Sequence, residues 1–246
     1  MNHGLLSSFR LGAVVMKGLV VFFILLSTWC AMSAQVVSVE PVFPKLHDDV
    51  TITFNAAEGN GALLGVSPVY AHTGVITSSS SNPSDWRHVQ GNWGTADPHV
   101  LMQSIGGNKH TISYNIFDYY GVNGGEQVES LAFVFRNANG SIVGRAADGA
   151  DIFYPVYPDN VEFLSVLLTP QQGSLALFVG EIIPVKGATS QDADLYIIDN
   201  EDTLSTQFGN EIEYSLTVTD PGNHDVQFVA VQGTDTLTES FFYTVI

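Results

Sequence analysis

The stretch EIEYSLTVTDPGNHDVQFVAVQG, residues 211–233, decides the fold class. Apolar and polar residues alternate on both sides of DPGNHD, which is the pattern of strands with one buried face. The proline, glycine and asparagine between the two runs are residues that tight turns favour. The stretch therefore predicts two β-strands joined by a turn.

The C-terminal part of the chain repeats this pattern at short intervals. Four further runs with strand character surround the first two: VEFLSVLL, LALFVGEIIPVKGAT, DLYIID and ESFFYTVI. Six or so short strands in about 90 residues are typical of an immunoglobulin-like β-sandwich. We therefore expect residues 157–246 to form such a sandwich.

The N-terminal part has the same character. Its strand candidates are VTITF, HTISYNI, SLAFVFRN and SIVGRA, and Asn139-Gly140 between the last two favours a type I′ hairpin. TADPHVLMQSI predicts one or two helical turns after Pro98. Two prolines in YPVYPDN, residues 154–160, hold the backbone extended. The predicted fold is all-β, with two tandem β-sandwich domains at 35–156 and 157–246.

Residues 1–34 have the features of a secretory signal peptide. Arg10 and Lys17 precede the apolar run GLVVFFILLSTW, which is too short to span a bilayer comfortably. Met16 is an alternative start, and Cys30 leaves a lipoprotein as an alternative. We therefore expect a secreted or cell-surface protein with no membrane segment after signal cleavage.

The charge of the chain limits its partners. The formal net charge is −17, and all 25 acidic residues follow residue 34. Such a surface repels nucleic acid and anionic lipid, and it suits a neutral partner. The lone cysteine, Cys30, lies in the predicted signal peptide, so the mature chain can form no disulfide. The histidines are scattered, and the acidic run DNED lacks the spacing of a metal site. We expect a monomer with no cofactor and no metal.

Aromatic and imidazole side chains surround a serine-rich loop in VYAHTGVITSSSSNPSDWRHVQGNWG, residues 69–94. Strand alternation places Tyr70 and His72 on one face, and Trp86 and His88 on one face of the following strand. These rings point outward together if the small apolar residues between them point inward: Val69, Ala71 and Val89. The opposite orientation makes Trp86 a core residue, and the pattern alone leaves both open.

A solvent-facing row of rings is a platform for a flat ligand such as a sugar. The C–H faces of a sugar lie on aromatic rings, while its hydroxyls need polar partners at the edge. Polar groups of the right kind occur nearby in the sequence: His72, His88, Gln90, Asn92 and Lys109.

Several motifs in order resemble a known family. They are VTITFNAAEGN, VYAHTG, SDWRHV, NWG, TISYNIFDYYGV, LAFVFRNANG and GADIFYPV. Together they resemble the N-terminal starch-binding-like β-sandwich modules of secreted α-amylase-family glycoside hydrolases. The resemblance implies that Tyr70, His72 and Trp86 grip an α-glucan, with Trp93 a weaker equivalent. The second part resembles the immunoglobulin-like spacer of such enzymes.

The catalytic barrel of that family has no counterpart in this sequence. TDPGNH, residues 219–224, departs from the family's Asp-x-x-x-Asn-His motif, and eight βα units need about 250 residues. The expected function is therefore the non-catalytic α-glucan-binding and spacer region of an exported glycoside-hydrolase-type protein that lacks the catalytic domain or is truncated before it, with no catalytic residue. The candidate carbohydrate-binding residues are Tyr70, His72, Trp86, Trp93, His88 and Lys109. The alternative is a purely structural or adhesive β-sandwich protein with no sugar site.

Overall fold

The computed structural model describes residues 35–171 and 173–246. In these residues the regular structure consists of fifteen β-strands, one short α-helix and one 3-10 turn. The predicted all-β fold class is confirmed. The predicted signal peptide, residues 1–34, lies outside the described residues.

The N-terminal part contains two antiparallel sheets. The first sheet has the order β1-β2-β6-β5 and contains β1 (Val37–Glu40), β2 (Asp49–Asn55), β5 (Gln103–Gly106) and β6 (Lys109–Asn115). The second sheet has the order β4-β3-β7-β8 with β9 also on β7, and contains β3 (Tyr70–Thr77), β4 (Arg87–Gln90), β7 (Val128–Arg136), β8 (Val143–Gly144) and β9 (Ile152–Pro155).

The inner faces of these two sheets share one hydrophobic core. Ile52 and Phe54 from β2 and Phe133 and Phe135 from β7 are almost fully buried. The rings of Phe54 and Phe135 stack with centroids 3.9 Å apart. Alternation along both strands therefore directs every second residue to this core, as the sequence predicts.

Two short helical segments connect these strands. The 3-10 turn Pro98–Val100 starts where a turn is predicted, and the Asp97 side chain accepts a hydrogen bond from the His99 N–H. The α-helix α1 (Ile116–Tyr120) is capped by the side chain of Asn115. The sequence predicts no helix there, because five residues are too few to show helical periodicity.

The C-terminal part forms a third sheet. Its order is β10-β12-β14-β15-β11 with β13 along β12, and its strands are β10 (Ser165–Thr169), β11 (Ser174–Leu177), β12 (Ile182–Asp199), β13 (Asp202–Thr217), β14 (Gly222–Gln232) and β15 (Asp235–Val245). Its pairs are antiparallel except β11 with β15. The predicted turn at DPGNHD is confirmed for Asp220 and Pro221, which lie between β13 and β14, whereas residues 222–225 already belong to β14.

Strand β12 corrects the predicted strand pattern. The predicted run LALFVGEIIPVKGAT is divided, because LAL belongs to β11. Its second half, IIPVKGAT, and the separately predicted run DLYIID belong to one strand of 18 residues. The register with β13 shifts between Ala188 and Ala193, so a bulge lets the strand bend and continue. Its two halves then pack around one core with Leu195 and Phe228. Strand β13 likewise extends back to Asp202, into TLSTQFGN, where no strand is predicted.

Two separate hydrophobic clusters mark the two β-sandwich units. The first comprises residues between Val37 and Val156, and the second comprises residues between Ile183 and Val245. The tandem, immunoglobulin-like β-sandwich architecture is therefore confirmed. Lys186 of β12 contacts Glu40 of β1, with Nζ and Oε1 3.2 Å apart. The domain boundary at residue 156 stays a prediction.

Candidate functional site

A shallow cleft of about 390 Å³ lies on the outer face of the second sheet. We call it the aromatic cleft. It combines the predicted residues His72, Trp86 and Trp93 with an acidic and basic rim, and it is lined by His72, Ser84, Asp85, Trp86, Val89, Trp93, Val134, Arg145 and Asp151.

The floor of the cleft is set by the register of β3 and β7. His72 and Val134 are direct partners across these strands, so they share the outer face. Gly74, two residues after His72, also lies on this face, and a Cβ there would lie 3.3 Å from the Trp86 Cβ. Because Gly74 has no side chain, Trp86 lies close to His72. The two ring centroids are 6.0 Å apart with an interplanar angle of 28°.

Trp93 forms a wall beside this floor. Its ring meets that of His72 edge-on, with centroids 5.2 Å apart and an angle of 86°. The residue is 48% exposed, so much of the indole faces solvent. Phe153 of β9 meets Trp86 edge-on from another side, at 6.4 Å. Two indoles and an imidazole therefore border one open space, and Phe153 contacts Trp86 without lining it.

The serine-rich loop holds Trp86 in place. The Trp86 Nε1–H donates to the Pro83 carbonyl oxygen at 3.0 Å, which fixes the indole plane. Within the loop, the Asp85 carboxylate accepts from the backbone N–H of Ser81 at 2.9 Å and from the Ser81 hydroxyl at 3.1 Å. The bond from the Ser81 N–H is the main reason that the pKa of Asp85 is lowered. The loop is thus an ordered support and not a plain linker.

His72 presents a hydrogen-bond acceptor in its neutral form. Its Nδ1 lies 3.0 Å from the Gly91 carbonyl oxygen, which accepts only, so Nδ1 carries the proton. The other nitrogen, Nε2, is then the acceptor. Burial lowers the pKa of His72, and this outweighs the Gly91 bond, which acts in the opposite direction. The neutral ring is therefore favoured at neutral pH.

Two ion pairs form the polar rim. Arg87 Nη2 and Asp85 Oδ2 are 2.9 Å apart, and Arg145 pairs with Asp151. All four side chains are partly exposed, and three of them, Asp85, Arg145 and Asp151, line the cleft beside the aromatic rings. Such a rim supplies both donors and acceptors with little net charge.

Tyr70 is not part of the cleft surface, so the prediction of an exposed ring is wrong. Its exposed fraction is 6%. The backbone bridges Leu101, and the Arg136 guanidinium lies over the ring, 5.3 Å from its centroid. The loop after β4 thus covers this end of β3. Val69 and Ala71 do point into the core, as predicted.

His88 departs from the predicted face as well. Its φ of 51° and the shifted register opposite Gly74 form a bulge that interrupts alternation in β4. Its Nε2 pairs with Glu126 Oε2 at 2.7 Å, and this bond is the main reason that the pKa of Glu126 is lowered. Val89 is consequently 46% exposed and not inward-facing.

Lys109 lies away from the aromatic cleft, so its predicted role there is wrong. It starts β6 in the first sheet, opposite Asn55 of β2. It lines a different cavity of about 290 Å³ that also contacts Leu168 and Lys186 from the C-terminal part. The sequence alone does not show that β6 pairs with β2 in the first sheet, so it does not reveal that Lys109 is remote from the cleft.

Sequence reasoning missed three cleft residues that lie outside the segment 69–94: Val134, Arg145 and Asp151. They come from β7 and from the segment between β8 and β9. Only the pairing of β3 with β7 brings them to His72. The turn-like ADGAD before β9 was the one available signal, because polar turns at sheet ends often carry sites.

Comparisons with known proteins give distant likenesses. No family model and no curated protein matches the chain. The fibronectin(III)-like modules of CbhA from Clostridium thermocellum are 14% identical with a TM-score of 0.27, over 33% of this chain and 95% of that chain. An endo-beta-1,4-mannanase from Thermotoga petrophila is 12% identical with a TM-score of 0.29, over 36% of this chain and 20% of that chain. The D0-D1 domain of intimin is 10% identical with a TM-score of 0.25, over 82% and 94%.

These likenesses are too distant to indicate what the chain binds.

Two further properties concern the part of the chain from Gln35 onward that the structure describes. It contains no group of three or more histidine, cysteine or acidic side chains placed to hold a metal ion. It also contains no helix with the length and apolar character needed to cross a membrane.

Proposed function

We propose that the protein is a non-catalytic carbohydrate-binding protein that takes an α-glucan in the aromatic cleft. The observation that carries the proposal is the convergence of His72, Trp86 and Trp93 on one open surface. The C-terminal sandwich then acts as a spacer, and the protein acts after export as a monomer. It uses no cofactor and binds neither nucleic acid nor membrane.

The cleft has the chemistry that a neutral sugar needs. The apolar C–H face of a pyranose packs against the indole of Trp86 or Trp93, which contributes about 1 kcal/mol beyond area burial. Sugar hydroxyls donate to His72 Nε2 and to the carboxylates of Asp85 and Asp151, and they accept from Arg145. Because the formal net charge is −17, a neutral polymer is a better ligand than an anionic one.

The choice of α-glucan among neutral sugars rests on the sequence motifs. VYAHTG and SDWRHV supply His72 and Trp86, as in starch-binding-like modules. Tyr70 and Lys109 are left out of the proposed contact set because one is buried and the other lies elsewhere. His88 is left out because it is bound to Glu126.

We also propose that the cleft does not hydrolyse its ligand. Glycosidases of the usual kind need a carboxyl of raised pKa as general acid beside a second carboxylate. The pKa of Asp85 is lowered, and both cleft carboxylates are paired with arginine. Purified protein should therefore release no reducing sugar from starch, maltodextrin or pullulan. Release that co-purifies with the chain through several columns would overturn this proposal.

Affinity electrophoresis tests the binding proposal. The mature protein should migrate more slowly in native gels that contain amylopectin than in gels without it, and cellulose derivatives should cause no such delay. A Trp86→Ala, Trp93→Ala double variant should lose the delay. Phe208→Ala is a matched control, because Phe208 is 71% exposed but lies on β13 of the other sandwich. It should migrate like the wild type.

The structural or adhesive alternative makes the opposite prediction. A protein whose aromatic residues serve only packing should show no delay with any polysaccharide. Unchanged migration of the wild type in amylopectin gels would favour that alternative over sugar binding.

A further inference from the structure

Trp93 is held between two backbone segments. It lies on the loop that follows β4, and its indole lies against Gly140 at the tip of the β7–β8 hairpin, residues 137–141. The predicted type I′ turn at this tip is wrong. Gly140 has a φ of 70°, whereas Asn139 is not among the residues with positive φ, so the tip is a longer turn closed by the glycine.

Arg136 ties these two segments together. Its Nη1 donates to the carbonyl oxygens of Thr95, Asn137 and Ala138 at 2.9–3.1 Å. Its Nη2 donates to the Asn92 carbonyl oxygen at 2.8 Å. Asn92 and Thr95 flank Trp93 in the sequence. The side chain is fully buried, and one guanidinium therefore fixes both the Trp93 loop and the hairpin tip.

Gly140 allows the hairpin tip to touch the indole. A Cβ at this position would lie 2.8 Å from Trp93 Nε1 and 3.1 Å from Trp93 Cε2. The first distance is shorter than a normal contact, so any side chain here must displace the ring. The absence of a side chain at residue 140 is thus what lets the indole rest in its observed position.

We propose that Arg136 and Gly140 are positioning residues that fix Trp93 in place before a ligand arrives. The Arg136 Cζ also lies 5.8 Å from the Trp93 ring centroid, which adds a cation–π contact. A wall that is already ordered loses little conformational freedom on binding, and affinity rises for that reason. The consequence for affinity rests on the proposed sugar binding, whereas the placement of Trp93 does not.

The test separates these two parts. In a Trp86→Phe background, Trp93 is the remaining tryptophan of residues 35–246, so its fluorescence reports its surroundings without ligand. Gly140→Ala should shift its emission maximum and increase its quenching by acrylamide. Gly121→Ala is the matched control, because Gly121 has a similar φ of 61° but nothing within 4 Å of an added Cβ. It should leave both measurements unchanged.

Binding is then measured on the same glycine variants with Trp86 restored. Gly140→Ala should weaken the affinity for maltoheptaose at least about threefold relative to Gly121→Ala, because the wall is no longer preorganised. Arg136→Lys should act in the same direction, since an ammonium group cannot reach four carbonyls in the fixed geometry of a guanidinium.

Equal emission and quenching in the two glycine variants would overturn the proposal whatever the affinity. If Gly140→Ala alters Trp93 emission but leaves the affinity for maltoheptaose unchanged, the claim that this position matters for the ligand is overturned. If the wild type fails to bind while emission still shifts, the positioning role stands and the proposed function fails.

Discussion

Trp86 and Trp93 serve the cleft in different ways. The indole N–H of Trp86 is already bonded to the Pro83 carbonyl, so its ring face is what remains for a ligand. Trp93 is about half exposed and stands nearly perpendicular to His72. Tyr70 lies in the same sequence motif but beneath the Arg136 guanidinium. The three rings therefore differ in what their removal should do.

Replacing Trp86 by alanine should weaken glycan affinity without unfolding the protein. Loss of one stacking contact corresponds to about 1 kcal/mol or more, or roughly a fivefold change in affinity. Tyr70→Ala should instead destabilise the fold by about 3 kcal/mol, as expected for a large buried ring. Isothermal titration calorimetry and thermal melts measure both. A Trp86→Ala protein that melts like Tyr70→Ala would contradict the surface placement of Trp86.

Two histidines, the half-buried His72 and the buried His110, should make the fold less stable in mild acid. Burial lowers the pKa of His72 and of His110 below the ordinary value of 6.5. As the pH falls below 6.5, these histidines therefore bind more protons in the unfolded chain than in the folded protein. The histidine contribution to the free energy of unfolding is then lost as the pH falls through the folded-state pKa.

The melting temperature should thus fall between about pH 7 and pH 5, a window above the ordinary pKa of carboxylates. His110→Leu should make this dependence shallower, because the imidazole that takes up a proton on unfolding is removed. His72→Asn, which keeps a donor toward the Gly91 carbonyl, should do the same. An unchanged slope in both variants would show that other groups control the acid response.

The serine-rich loop is the element that most shapes the cleft. Asp85 bonds to Ser81 at one end of the tight turn, and the Pro83 carbonyl in that turn holds the Trp86 indole. Ser84 N–H donates to the Asn82 side chain at 2.9 Å, and Ser80 N–H to the Thr77 carbonyl at 2.8 Å. Polar residues can thus position an aromatic ring through local hydrogen bonds, without a hydrophobic core beneath the loop.

Asp85→Ala should loosen this loop and weaken glycan binding. The Ser81 N–H loses its acceptor, so backbone amides of residues 81–86 should exchange faster with deuterium. Asp235→Ala, a change at an exposed aspartate in the third sheet, should leave exchange in this loop unchanged. Equal exchange in the two variants would contradict a supporting role for Asp85.

Strands and turns were predictable because they depend on local patterns. Alternation located β2, β6, β7, β14 and β15, and DPGNHD located the turn before β14. Sequence reasoning failed where a non-local contact or a local irregularity interrupts the pattern. The bend in β12 joins two predicted strands into one, because pairing with β13 continues past the bulge.

The candidate site was predictable in part for the same reason. Alternation correctly placed His72 on the face opposite to Val69 and Ala71, which lie in the core, and Trp86 lies beside His72. It failed for Tyr70, which a distant loop covers, and for His88, which a bulge turns toward Glu126. The rim residues Arg145 and Asp151 depend on strand order, which one sequence does not reveal.

At the scale of the whole molecule, the aromatic cleft differs from the rest of the surface in its charge balance. The chain carries a formal net charge of −17, yet the basic residues at the cleft rim, Arg87 and Arg145, are matched by carboxylates. The cleft is therefore locally balanced within a strongly negative protein. A neutral polymer meets no long-range attraction or repulsion there.

Affinity for amylopectin should consequently be nearly independent of salt between about 20 mM and about 500 mM NaCl, because screening acts on charges and the ligand has none. Anionic polysaccharides such as polygalacturonate should not bind at low salt. Salt-dependent retention of amylopectin, or binding of polygalacturonate, would contradict a neutral-sugar site. Surface plasmon resonance on immobilised protein measures both.

The most direct test of the account uses the two tryptophans of residues 35–246. A ¹H–¹⁵N spectrum of this part of the chain should show one indole N–H resonance for Trp86 and one for Trp93. Titration with maltoheptaose should shift both resonances with a common dissociation constant of about 0.1–1 mM, as expected for a shallow platform. Backbone shifts should cluster on β3, β4 and β9. If both indole resonances stay in place at saturating sugar, the aromatic cleft is not an α-glucan site.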